Sequence, residues 1–144
     1  MASPDAAGEL ERTIERYNEA WNAHDVDLIV SFHAPGMVFE NHTAGERAEG
    51  PDVRVHLAEI FANWPDLSFR GRRLYACDGL VVSEWTATAT HTNTMRRGDL
   101  VVEPTGRRIE WRGADVIPFE DGLIKRKTAY SDSVSILRQV GLLA

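Results

Sequence analysis

The segment from residue 109 to residue 119 constrains the fold most strongly, because apolar side chains recur there at alternate positions. This spacing is typical of a strand with one face in a core. Asp115 falls on the same face. A buried carboxylate is costly unless it is protonated, paired or hydrogen-bonded, so Asp115 is a functional group, a structural aspartate capped by backbone amides, or a residue that a shifted register turns to solvent. The inward positions are Ile109, Trp111, Gly113, Asp115, Ile117 and Phe119.

Helical spacing precedes strand spacing along the chain. Asp25 is a typical cap for a second helix, which Pro35 and Gly36 end, and Gly50 with Pro51 opens a third. After residue 66 the apolar period changes to two. The other predicted elements are helices at 4–23 and 133–140, strands at 37–41, 67–76, 80–94, 107–119 and 123–130, and hairpin turns at 78–79 and 121–122.

This order predicts an α+β fold, with one domain over residues 1–144. Helices cover one face of a long, curved, mostly antiparallel sheet that wraps around a cavity. The strand at 80–94 supports the cavity, because its inward positions mix Trp85 with the small Ala87 and Ala89 and so leave space for a ligand.

A row of threonines on the same strand, Thr86, Thr88 and Thr90, forms its other face. Threonine favours strands. This face is either solvated or the flat surface on which two subunits pair, and we expect a homodimer.

Charge and composition exclude several classes of partner. The formal net charge of −6 argues against nucleic acid, since phosphate binding needs a basic surface. Cys77 is the one cysteine, which excludes an internal disulfide and predicts a reducing compartment. No signal peptide or membrane-spanning run is found, so we expect a cytoplasmic protein without a membrane partner.

The sequence also lacks the spacing patterns of common cofactor sites. It has no helical metal motif, no thiolate cage, no glycine-rich phosphate loop and no nucleophile elbow. We therefore expect neither a metal nor a cofactor. Binding of a small molecule would rest on shape, an aromatic lining and a few polar groups.

Several segments carry a family resemblance. Residues 16–25, 38–41 and 115–122 resemble the cone-shaped fold of the nuclear-transport-factor-two-like superfamily, which includes ketosteroid isomerases. Residues 61–67 and 104–111 resemble the SnoaL-like polyketide cyclases and related hydroxylases of that superfamily. The resemblance covers nearly the whole chain and implies the fold more strongly than the reaction, because the superfamily hosts many activities.

The resemblance implies roles for two residues. Tyr17 matches the isomerase tyrosine that donates to the substrate oxyanion, and Asp115 matches the neighbouring aspartic acid. That acid is a standard example of a carboxyl group kept neutral by an apolar site. Independently, Tyr17 lies on the apolar stripe of the first helix, where a tyrosine is often simply part of the core.

Two departures from the family concern the catalytic base. Asn41 stands where isomerases have their base aspartate, and an amide cannot abstract a proton. Ala129 stands where polyketide cyclases have their acid/base aspartate. A histidine would have to replace them, and the candidates are His91, His42 and His33.

The sequence thus predicts a cofactor-independent cyclase or isomerase that acts on a small apolar carbonyl compound of polyketide or steroid type. Tyr17 and Asp115 would stabilise an enolate, and a histidine would move the proton. The alternatives are a non-catalytic binding protein of the same fold, and a cofactor-free hydroxylase or epoxide hydrolase in which Asn41 positions a water. The aromatic residues expected to hold the ligand are Trp85, Trp111, Phe39 and Phe119.

Overall fold

The computed structural model describes residues 5–143. Within that range the chain forms α1 (Ala6–Asn22), α2 (Val26–Ser31), β1 (His33–Asn41), β2 (Glu46–Glu49), α3 (Asp52–Asn63), β3 (Ser68–Cys77), β4 (Leu80–Thr90), β5 (Met95–Arg97), β6 (Leu100–Val102), β7 (Arg108–Glu120), β8 (Leu123–Ser131) and α4 (Ser133–Gln139).

One curved sheet carries most of the strands, in the order β2-β1-β8-β7-β4-β3. Its strands pair antiparallel except β1 and β8, which run parallel. A separate hairpin joins β5 to β6. Helices α1, α2 and α3 pack together on the sheet. The predicted α+β architecture, with helices on a curved and mostly antiparallel sheet, is confirmed.

The helices form where the sequence provides stripes and caps. In α1, Ile14, Tyr17, Ala20 and Trp21 are buried, while charged residues cover the opposite face. The Asp25 carboxylate caps α2 by accepting from the backbone N–H of Leu28 at 3.1 Å, as the sequence predicts. None of the helices in residues 5–143 has both the length and the apolar character needed to cross a bilayer.

The register of the three central strands decides what faces the interior. Asp115 of β7 lies between Ser83 of β4 and Ala129 of β8, and Ala129 in turn lies beside Asn41 of β1. Side chains at paired positions share a face of the sheet. Asp115 is only 3% exposed, so the inward orientation predicted from the alternation is confirmed.

Gly113 makes room for the largest aromatic side chain of β4. It is paired with Trp85, and a Cβ atom at this position would overlap the six-membered ring of Trp85. The indole therefore lies flat across the glycine and is directed over β7.

Several element boundaries differ from the sequence prediction. The second helix ends at Ser31, and β1 begins at His33 rather than at residue 37. Pro35 and Gly36 lie within β1, where the pairing with β8 shifts register and Gly36 adopts a φ of 73° that favours glycine. The helical spacing of Leu28 with Phe32 predicts that Leu28 faces inward, but it is 45% exposed.

Other differences concern short strands and one terminus. The β4 strand ends at Thr90 instead of residue 94, and β2, β5 and β6 were not predicted. These strands have three or four residues each, too few to show an alternation. Residue 4, the predicted start of the first helix, lies outside the described residues.

We predict that Gly113→Ala destabilises the protein by about 1–3 kcal/mol, because an added methyl group must displace the packed Trp85 ring. Urea unfolding measures the change. In a Trp85→Ala background the same substitution should cost much less, since the ring is gone. Equal costs in both backgrounds would contradict the proposed packing.

Dimerisation through the threonine face stays a prediction. Thr86, Thr88 and Thr90 lie on the side of β4 opposite the buried Trp85, and we expect two copies to pair there. Light scattering at high micromolar concentration should give twice the mass of one chain. A monomeric mass, or a dimer that Thr86→Lys leaves intact, would contradict it.

Candidate active site

A cavity of about 340 Å³ lies between α1, α3, the β5–β6 hairpin and the concave face of the sheet. The four tryptophans of the sequence, Trp21, Trp64, Trp85 and Trp111, all line it. Trp64 and Trp111 pack with their ring centroids 5.9 Å apart. A cavity of this size with an aromatic wall suits a small apolar ligand.

A histidine paired with a carboxylate stands in this aromatic wall. His56 of α3 has its Nε2 atom 3.0 Å from Oε2 of Glu46, the first residue of β2, and both residues line the cavity. The Phe39 ring lies 5.3 Å from the imidazole. The hydrogen bond to Glu46 raises the pKa of His56, although burial opposes the shift.

Asn41 contributes a polar group to the same wall. Its Oδ1 atom accepts from the Thr43 hydroxyl at 2.7 Å and from the Ala44 backbone N–H at 3.2 Å. Its Nδ2 atom donates to Ser131 Oγ at 3.2 Å. Since an amide nitrogen carries two hydrogens, this arrangement orients the side chain and leaves a second hydrogen for another acceptor.

The hairpin contributes positive charge at the cavity. Arg96 and Arg97 line it, and Nη1 of Arg97 donates to the carbonyl oxygen of Arg96 at 3.0 Å. The Nε atom of Arg97 is buried and has no hydrogen-bond partner. Burial lowers the pKa of Arg97, and the nearby Glu46 carboxylate opposes this shift.

A cluster of charged groups is buried next to the cavity wall. Nζ of Lys127 lies 3.7 Å from Oδ2 of Asp115, and both side chains are at most 7% exposed. The same nitrogen lies 3.8 Å from the Trp21 ring centroid, 5.2 Å from that of Tyr17 and 5.8 Å from that of Phe39. Lys127 thus holds an ion pair and cation–π contacts together. Asp115 is paired, one of the arrangements that make a buried carboxylate tolerable.

Burial changes the titration of Lys127 and its neighbour Arg72. It lowers the pKa of Lys127 to about 8, with Asp115 opposing and Arg72 adding to the shift. It lowers the pKa of Arg72 to about 10, again with Asp115 opposing. Arg72 donates to Ser83 Oγ at 3.2 Å. Asp115 thus pairs with Lys127 and lies in the field of the half-buried Arg72, while its Oδ1 atom has no hydrogen-bond partner.

Tyr17 and His33 complete this cluster. The Tyr17 hydroxyl lies 2.9 Å from Nε2 of His33. Burial raises the pKa of Tyr17, and burial together with the charge of Lys127 lowers the pKa of His33 to about 4. Both groups are therefore neutral at pH 7, and His33 is a poor base because its conjugate acid is so acidic.

The structure divides the residues selected from the sequence into two groups. Trp85, Trp111, Phe39 and Asn41 line the cavity. Tyr17 and Asp115 come together around Lys127, which also contacts the Trp21 ring, and neither residue lines the cavity. Ala129 is buried between Asn41 and Asp115 in the sheet. The donor role that the resemblance implies for Asp115 does not fit a carboxylate that faces an ammonium group.

The remaining candidates lie outside the cavity wall. His91 is buried at the end of β4, where its Nδ1 atom accepts from the backbone N–H of Thr105 at 3.2 Å, and burial lowers its pKa. His42 is 56% exposed near Glu40. Phe119 packs against the main hydrophobic core. In residues 5–143 no three histidine, cysteine or acidic side chains are grouped so as to hold a metal ion.

Sequence reasoning missed His56, Glu46 and Lys127. The helical period points to His56, because it follows Val53 by three residues and precedes Ile60 by four. The alternation of a regular strand does not predict the burial of Lys127. Residues 125–127 of β8 lie opposite residues 117–118 of β7, and this bulge allows both Ile124 and Lys127 to be buried despite their odd spacing.

We predict that Asp115→Ala lowers the free energy of unfolding by about 3–5 kcal/mol, because it leaves the Lys127 ammonium buried without its anionic partner. Adding Lys127→Met should restore part of that loss, since an apolar side chain then packs against Trp21, Tyr17 and Phe39. Urea unfolding of both variants provides the comparison. Additive losses in the double variant would show that the two groups do not interact.

Comparison with known proteins places this architecture in a family. A model of the SnoaL-like domain matches residues 14–127. No protein of curated function shows significant similarity to the sequence.

Solved structures share the fold at low sequence identity. AclR of Streptomyces galilaeus, titled a "putative hydroxylase", is 22% identical with a TM-score of 0.80 over 96% of this chain and 88% of its own. A "putative polyketide cyclase" of Xanthomonas campestris is 22% identical with a TM-score of 0.81, over 94% and 98%. IdmH of Streptomyces antibioticus, likewise titled a "putative polyketide cyclase", is 25% identical with a TM-score of 0.76, over 92% and 98%. Because the family model matches residues 14–127, most of this chain, the chain belongs to the SnoaL-like domain family.

Proposed function

We propose that this protein is a cofactor-independent enzyme of the cyclase or isomerase type, which moves a proton on a small, largely apolar carbonyl compound. The observation that carries the proposal is the His56–Glu46 pair in the aromatic wall of the cavity. It supplies the base that Asn41 and Ala129 do not. Similarity to proteins titled as polyketide cyclases supports the substrate class.

In the proposed mechanism, neutral His56 removes a proton from the carbon next to the carbonyl group. Glu46 accepts a hydrogen bond from the imidazole at 3.0 Å and stabilises the imidazolium that forms. The imidazolium then returns the proton to a different carbon, or the carbanion attacks a second carbonyl group and the imidazolium protonates the alkoxide that forms. The first course gives an isomerisation and the second gives ring closure.

The developing enolate oxygen needs a donor or a positive charge in the cavity. Asn41 offers the second hydrogen of its oriented amide, and Arg97 brings a guanidinium group to the same cavity. Asn41 and Arg97 would stabilise the enolate oxygen, the role that the family resemblance implies for Tyr17 and Asp115. Those two residues do not line the cavity. A preorganised donor of this kind is typically worth about 10²–10³ in rate.

A non-catalytic binding protein is the second candidate, and the hydrogen bonding of Asn41 favours it. Three contacts hold this amide at the position where related isomerases have a base, so the cavity would keep its shape and polarity without that base. A hydroxylase or epoxide hydrolase, in which Asn41 orients a water, is a third. Similarity to AclR, titled a hydroxylase, supports this alternative.

We predict that the protein catalyses exchange of the α-protons of β-tetralone, a small bicyclic ketone, with deuterium from solvent. His56→Gln should slow the enzymatic exchange by about 10²–10⁴, the usual contribution of a general base. Because the neutral imidazole is the base, the rate should rise with pH through the raised pKa of His56. Glu46→Gln should move that rise to lower pH, since it removes the partner that raises the pKa. NMR in D₂O measures all three.

Binding of 2-naphthol, followed by quenching of tryptophan fluorescence, controls for folding. The cavity-lining tryptophans report on occupancy, and His56→Gln should bind the naphthol as the unmodified protein does. Exchange that persists in a His56→Gln variant would refute the role of His56. Binding of 2-naphthol without exchange by the unmodified protein would favour the binding-protein alternative.

A further inference from the structure

The two lysines of the chain lie in opposite environments. The side chain of Lys125 is 63% exposed, whereas that of Lys127 is 7% exposed and faces Asp115 and the ring of Trp21. The proposed His56 chemistry makes no use of Lys127. A desolvated amine inside a ligand-binding fold is costly to keep and is a known form of nucleophile.

The surroundings of Lys127 favour its uncharged amine. Burial removes Lys127 from water, which disfavours the ammonium form, and the nearby Arg72 guanidinium is a second positive charge that disfavours it further. The lowered pKa of Lys127, about 8, agrees with this geometry. An appreciable fraction of the side chain is therefore free amine near neutral pH, unlike an ordinary lysine.

Trp21 is the nearest to Nζ of the rings that also line the cavity, and it carries an unpaired donor. Its ring centroid lies 3.8 Å from Nζ of Lys127, and the same side chain lines the cavity. Its indole Nε1 is buried without a hydrogen-bond partner, so packing against Phe39, Phe61 and Phe69 holds the ring. Because Trp21 contacts both the amine and the cavity, a displacement of its ring would bring the amine and the cavity into contact.

We propose that Lys127 forms an imine with the carbonyl group of a small aromatic aldehyde or ketone bound in the cavity. The Nζ lone pair attacks the carbonyl carbon, and Asp115, whose Oδ1 atom is unpaired, carries one nitrogen proton to the alkoxide oxygen, which gives the carbinolamine. Asp115 then carries the second nitrogen proton to the carbinolamine hydroxyl, which leaves as water while the C=N bond forms. No oxidant or reductant is consumed.

The imine extends the proposed function, on whose carbonyl substrate class the inference rests. An imine that carries a proton makes the adjacent C–H more acidic than the ketone does, because the nitrogen accepts the electron pair. Lys127 would then assist the removal of the α-proton by His56. Imine formation itself does not require His56, so the two proposals fail separately.

Borohydride trapping with 2-naphthaldehyde at pH 7.5 tests the inference, because reduction turns the imine into a stable secondary amine. Peptide mass mapping then separates Lys127 from Lys125 and from the N-terminal amine. We expect labelling of Lys127 to exceed that of Lys125 by at least about tenfold, since far more of Lys127 is free amine at this pH. Labelling confined to Lys125 or the N-terminus, or of Lys127 only in urea, would overturn the proposal.

Matched variants isolate the amine. Lys127→Arg keeps a positive charge opposite Asp115 and should abolish the label at this position, while Lys125→Arg should leave the Lys127 label unchanged. If the indole of Trp21 blocks access of the aldehyde to Lys127, Lys127 should be labelled faster in the Trp21→Phe variant. A Lys127 label that appears only in the Trp21→Phe variant would contradict imine formation in the natural protein.

His56→Gln separates this proposal from the proposed function. It should lose exchange of the β-tetralone protons and retain the naphthaldehyde label on Lys127. Loss of the label in this variant, with 2-naphthol binding intact, would contradict a reaction that is independent of His56. A labelled Lys127 in a protein that shows no exchange would refute the proposed function and leave the imine standing.

Discussion

The buried ion pair between Lys127 and Asp115 links two neighbouring strands of the sheet and contacts aromatic rings of α1. The two charges belong to neighbouring strands, β8 and β7, and are joined at 3.7 Å in an almost fully buried site. Removing either charge alone leaves the other without compensation, which is far more costly than replacing both. Tyr17 and Trp21 of α1 place their ring faces on the same ammonium group. The pair thus connects the helix to the sheet at the point where the cavity ends.

Trp21 contacts two chemically distinct compartments, the cavity and the buried cluster around Lys127. On the cavity side, aromatic walls surround one histidine–carboxylate pair, and burial and hydrogen bonding have opposite effects on the pKa of His56. In the buried cluster, Asp115 pairs with Lys127, and Arg72 adds a second positive charge nearby. The Trp21 ring contacts Nζ of Lys127 and also lines the cavity. A change in the position of that ring would therefore alter both compartments at once.

Membership of the SnoaL-like family fixes the architecture but leaves the chemistry to individual side chains. Asn41 and Ala129 stand where the family resemblance implies catalytic acids, and the charged groups of this cavity come from α3, β2 and the β5–β6 hairpin. Catalytic groups can lie on the sheet or on α3, because the concave sheet and α3 both face the cavity. A base on either layer reaches the same cavity.

The alternation in residues 109–119 was enough to predict β7 and the inward direction of Asp115, because a strand has a strict period of two. The apolar stripe of α1 and the Asp25 cap of α2 could be predicted from the sequence in the same way. Only the tertiary structure decided what Asp115 faces. The bulge at residues 125–127 of β8 interrupts the alternation of side chains, so that Lys127 is buried although the alternation from Ile124 predicts that it is exposed. Glu46 belongs to a strand of four residues, which is too short to predict. The pairing of His56 with Glu46 and of Lys127 with Asp115 joins residues distant in sequence, and such contacts follow from strand register and helix packing, which local periodicity does not encode.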